Sequence, residues 1–96
     1  MKKPLRWAYP QSYQLVKGVA AQAGIHLYDF EVLVDGEAGA PTVMVEHRGT
    51  VWTETFPSED LLRATVRVSD FFAAVMDELV LVTERAYQDF MHHREV

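Results

Sequence analysis

From Ser58 to Val96 the chain carries neither glycine nor proline. That is the strongest constraint on its fold. A continuous helix of about 35 residues would be ~50 Å long, whereas a compact domain of this size is nearer ~30 Å across. The segment must therefore break or project beyond the body. Thr65, Val66 and Val68 are β-branched, and Ser69 or Asp70 can cap a new helix, so a break near Val68–Asp70 is the favoured reading. One long helix is the alternative. Ser58 is a fair N-cap, with Glu59 and Asp60 in the first turn, where the helix dipole favours acids.

This segment is also unusually apolar. Leu61, Thr65, Val68, Phe72, Val75, Leu79, Val82 and Ala86 alternate in steps of four and three, which keeps a single seam. Phe71, Met76, Val80, Thr83 and Tyr87, with Phe90 or Met91, lie off it. A helix apolar on several sides is buried on more than one side. The seam is assigned to the sheet of the same chain. The flank Phe71, Met76, Val80, Thr83 and Tyr87 is assigned to a homodimer interface. With 96 residues and no cysteine, the chain has a modest core and no staple, which also favours a partner.

The remainder reads as a basic arm, one helix and three strands. Residues 1–10 hold Lys2, Lys3, Arg6, Trp7 and Tyr9, with prolines at 4 and 10, and are read as an N-terminal arm on a single domain spanning residues 11–96. Leu15, Val16, Val19, Ala20 and Ala23 have helical spacing, and Gly24 is a natural helix end. Tyr28, Phe30, Val32 and Val34 alternate with Asp29, Glu31 and Asp35, as in a half-buried strand. Residues 42–48 and 50–56 form a hairpin about Gly49. Trp52 and Phe56 share a face with Glu54, so the inward side of the third strand stays ambiguous, and a bulge would resolve it. The expected fold is α+β, ordered α-β-β-β-α, with a three-stranded antiparallel sheet against a long or broken C-terminal helix.

That order resembles double-stranded RNA-binding domains, in topology alone. The Lys-rich start of their last helix corresponds here to "SEDLLRA", which is acidic. Nucleic-acid binding is therefore not expected.

The net charge of −5 is unevenly spread: +4 over residues 1–26, −7 over 27–60 and −2 over 61–96. Such asymmetry can mark an acidic face for a basic protein partner. Asp29, Glu31, Glu46 and Glu54 are its candidates, and the same carboxylates would serve an inhibitor that mimics nucleic acid. Tyr28, Phe30, Trp52 and Phe72, with Tyr87, are candidates to line a small-molecule pocket between sheet and helix.

Catalytic signals are absent. No phosphate loop or nucleophile elbow occurs, and the lack of cysteine excludes thiolate chemistry. Glu46 and His47 are neighbours on a strand and so point to opposite faces. Asp89 and His93 are at i, i+4 but make only half a metal site. No cofactor, metal or membrane span is expected, and without an export signal the cytoplasm is the default location. The leading expectation is a homodimeric protein–protein interaction module without catalysis. The alternatives are a ligand-binding or enzymatic module with its site at the sheet–helix or dimer interface, and an acidic nucleic-acid mimic.

Overall fold

The computed structural model describes residues 1–36 and 39–94, with side chains through Thr83. The elements run β1 (Lys2–Pro4), α1 (Leu5–Ala8), α2 (Pro10–Ala23), β2 (Glu31–Asp35), β3 (Thr42–His47), β4 (Thr50–Thr55), α3 (Ser58–Arg63) and α4 (Val66–Arg94). The class is α+β. The sheet is antiparallel and has four strands in the order β1-β2-β3-β4, one more than the sequence reading.

The extra strand comes from the basic arm. Lys2, Lys3 and Pro4 pair with Asp35, Val34 and Leu33, and the Met1 ammonium lies 3.0 Å from the Asp35 carboxylate. Leu5 then enters the core at the start of α1. Residues 1–10 are thus a structural part of the domain. A three-residue strand has no alternation long enough to be read, which is why a basic composition suggested an arm.

One sheet face is covered by helices. Val32, Val34, Val43 and Val45 point into the core, where they meet Val16 and Ala20 of α2 and Val68, Phe72, Val75, Met76 and Leu79 of α4. The other face carries Glu31, Leu33, Thr42, Met44, Glu46, Val51 and Thr53 by alternation and is open. The ladder between β3 and β4 is continuous, from Thr42 opposite Thr55 to His47 opposite Thr50, with no bulge. Trp52 lies opposite Val45 and Glu54 opposite Val43, so both occupy the helix side. Glu54 is tolerated there because β4 is an edge strand and the carboxylate reaches water. Tyr28 leaves the expected alternation: residues Leu27–Asp29 form a 3-10 turn before β2, and Tyr28 is 84% exposed, stacked on His26.

α2 ends where Gly24 (φ 73°) permits the left-handed conformation, and Ile25 N–H donates to Ala20 O at 2.9 Å. Ser12 is fully buried in this helix, and its hydroxyl donates to Leu61 O at 2.6 Å, tying α2 to α3.

The C-terminal segment does break, but at Ala64–Thr65 rather than near Val68–Asp70. Ala64 adopts φ 55°, ψ 58°, and Thr65 N–H donates back to Asp60 O at 3.2 Å. The Thr65 carbonyl then accepts from Val68 N–H and Ser69 N–H, both at 3.1 Å, which starts α4. The β-branched residues beyond are absorbed into the helix because Val68 is buried. A left-handed residue that closes a helix is usually glycine, so alanine hides the signal. Ala64→Gly should stabilise the protein by about 1 kcal/mol, since a Cβ in this conformation costs roughly that much. A thermal melt that moves down instead of up by a few degrees would contradict this reading of the joint.

After the break α4 still spans 29 residues. At 1.5 Å per residue it is about 43 Å long, and the molecule measures 54 × 26 × 18 Å. The radius of gyration is 14.8 Å, against about 12.5 Å for a compact chain of this length. The segment therefore both breaks and projects.

Candidate functional site

Two features stand out on the surface: the far part of α4 and a cleft at the end of α2. Neither is what counting heptads alone suggests. Met76, assigned to the partner-facing flank, is 1% exposed and belongs to the core of this chain. Phe71 is half-buried, edge-on to Phe56 at 5.7 Å and beside Phe72 at 5.3 Å. Val82, assigned to the seam, is 43% exposed, and Leu81 is 56% exposed. The reason is geometric. A straight helix repeats every 3.6 residues and drifts about 20° per heptad from a 3.5-residue seam, and the joint at Ala64 resets the phase before α4 begins. The buried series runs Val68, Phe72, Val75, Met76 and Leu79, and the next position on that stripe is Thr83, with Val82 turned off it. The side chains of Ala86, Tyr87, Phe90 and Met91 lie outside the described residues.

On the side of α4 nearest β4, Trp52 Nε1–H donates to the Glu78 carboxylate. Phe71, Val75, Glu78 and Val82, at spacings of four and three, form the stripe along that side. Its end is apolar and uncovered, while its beginning is closed by Phe56.

The cleft is lined by Ala23, Gly24, Ile25, Asp29, His47, Leu79, Val80 and Thr83 and has a volume of about 220 Å³. His47 Nδ1 lies 2.7 Å from the backbone carbonyl of Asp29. A carbonyl only accepts, so Nδ1 carries a hydrogen and donates it to this oxygen. The Asp29 group that holds His47 is its main-chain oxygen, not its carboxylate, so this contact is not a carboxylate–imidazole dyad. Val80 and Thr83, expected on a dimer face, line this cleft; Val80 is half-buried and Thr83 is exposed.

The four aromatic pocket candidates are dispersed. Phe30 and Phe72 are buried in the core, Trp52 is half-buried under α4, and Tyr28 is exposed on the 3-10 turn. Tyr28 and Phe30 border one shallow depression, and neither Trp52 nor Phe72 lines it. Of the acidic candidates, Asp29, Glu31 and Glu46 line one shallow depression with Tyr28, Phe30 and Arg48. Glu31 and Glu46 face each other across β2 and β3. Glu54 lies apart, at the far edge on the opposite sheet face.

Among the described residues no group of three metal-ligating side chains converges, and no helix is long and apolar enough to cross a membrane. Asp89 and His93 lie outside the described side chains. Sequence reasoning missed the cleft because its walls come from four separate segments. It also missed the burial of Ser12, although the i, i+4, i+8 spacing of Ser12, Val16 and Ala20 places all three on one buried stripe. No protein-family model matches this chain, and no curated protein and no solved structure matches it.

Proposed function

We propose that the protein is a non-enzymatic interaction module that associates with a second copy of itself, using the β4-side stripe of α4. The observation that supports this most directly is the emergence of α4 from its body with Leu81 and Val82 bare. Short isolated helices are marginal in water, and most helical stability in proteins comes from packing an apolar face. The sequence continues past Thr83 with Ala86, Tyr87, Phe90 and Met91, so the apolar content of the segment does not end at Val82. Homodimers with two-fold symmetry are the commonest soluble assembly.

Val82→Glu is the informative variant, because Val82 is exposed and its loss leaves the core intact. Phe71→Asp is a poor probe, since Phe71 supports Phe56 and Phe72. The expected outcome is a shift from two-chain to one-chain mass in sedimentation velocity, with the helical circular dichroism signal retained. An unchanged two-chain mass would remove α4 from the interface. The second reading is small-ligand binding, which the cleft beside His47 favours.

A further inference from the structure

The sheet has two edges, and the sequence treats them oppositely. β1 is three residues long and reads Lys-Lys-Pro. Lysines and proline are common protections against pairing with another chain's edge. β4 is six residues long and reads Thr-Val-Trp-Thr-Glu-Thr, with neither. Its single charge, Glu54, is the only blunting feature on it.

The ladder determines which backbone groups on β4 are free. Arg48 and Gly49, at φ 48° and 86°, form a two-residue turn of the primed kind. Such a turn makes its flanking residues, His47 and Thr50, a hydrogen-bonded pair, and bonded pairs then alternate along the ladder. Thr50, Trp52 and Glu54 therefore bond to β3, and Phe56 N–H continues the series to Pro41 O at 3.1 Å. Val51, Thr53 and Thr55 turn their N–H and C=O groups outward, and among the described residues these meet no backbone partner.

We propose that β4 pairs antiparallel with β4 of a second copy about a two-fold axis at Thr53, joining two four-stranded sheets edge to edge. This rests on the self-association reading and names its surface. With Thr53 opposite Thr53, Val51 falls opposite Thr55 of the other copy, and all three outward residues of each strand are bonded. An axis at Glu54 would set two carboxylates face to face. An axis at Trp52 would leave Thr55 facing the Gly49 turn. In the Thr53 register Glu54 lies opposite Trp52, and the open face gains Val–Thr and Thr–Thr pairs, which suit cross-strand contact. A two-fold axis perpendicular to the sheet keeps both sets of helices on one side. The helix nearest the seam is α4, held there by the Trp52–Glu78 bond. Val82 lies one turn beyond Glu78 on that stripe and faces the other α4. One event thus covers the exposed Val82, the exposed Val51 and the free strand edge.

The chain has no cysteine, so a single introduced thiol reports position cleanly. Facing residues of a bonded antiparallel pair have Cα atoms ~5.5 Å apart, within disulfide range. Full-length Thr53→Cys should form a covalent dimer under mild oxidation. Val51→Cys should not link to itself, because the two positions are offset by four residues, about 13 Å. Val51→Cys mixed with Thr55→Cys should link as a mixed dimer. Thr53→Pro removes an N–H that the monomer does not use, at an edge position where proline is tolerated. It should weaken dimerisation about tenfold or more, through two lost hydrogen bonds at the axis. A two-chain wild-type protein in which Thr53→Cys fails to link, or Thr53→Pro leaves the dimer constant unchanged, overturns the β4 pairing and leaves self-association standing. A one-chain wild-type protein overturns both. If Thr53→Pro does not fold, the cross-linking pattern decides.

Discussion

Phe72→Ala should destabilise the protein by about 3–5 kcal/mol, the usual cost of emptying a buried aromatic site. Phe72 is fully buried at the centre of α4's inward stripe and lies against Phe71, which in turn meets Phe56. The cavity would open where the sheet, α4 and the segment leading to α3 converge. Collapse around it is limited, because the β-branched valines of β2 and β3 have little rotamer freedom. A domain of this size has only about 5–15 kcal/mol in total, so the variant should be close to unfolding at ambient temperature. Urea denaturation measures this directly. A loss below about 1.5 kcal/mol, the range of volume-conserving swaps, would mean that Phe72 is not in the core as placed.

The second large effect is expected at Leu61. The helix α3 has six residues, and Leu61 is its single buried side chain. Its carbonyl also accepts the Ser12 hydroxyl. Leu61→Ala should cost about 2–5 kcal/mol, and it should do so unevenly. With its apolar anchor gone, α3 is expected to detach before the sheet melts. Hydrogen exchange should therefore accelerate first over residues 57–65, and next in the first turns of α2 around Ser12. Uniform acceleration across the sheet would show that α3 does not open as a separate unit.

Both positions were legible in the sequence, since Leu61 and Phe72 fall on the heptad seam. So were the helix ending at Gly24, the hairpin about Gly49 and, of the strand expected from Tyr28 onward, the part Glu31–Asp35. What escaped has identifiable causes. β1 is too short to show a period and is recognisable only through its pairing with β2. The joint at Ala64 uses a residue that gives no sign of a left-handed conformation. The swap between Met76 and Val82 arises because a 3.5-residue count was laid over a straight 3.6-residue helix. The candidate surfaces were less legible than the fold. The cleft gathers Ile25, Asp29, His47 and Val80 from segments distant in sequence. The free edge of β4 is a matter of which strand ends the sheet, and local patterning does not encode that order. The contrast between Lys-Lys-Pro and Thr-Val-Trp-Thr-Glu-Thr was present in the sequence all along, but it acquired meaning only once both segments were known to be edges.

Self-association is the central claim, and it has a direct measurement. Sedimentation equilibrium of the full chain at tens of micromolar should give twice the chain mass of 11.0 kDa, falling toward a single chain on dilution as mass action requires. A mass of 11.0 kDa that does not change with concentration would contradict the account.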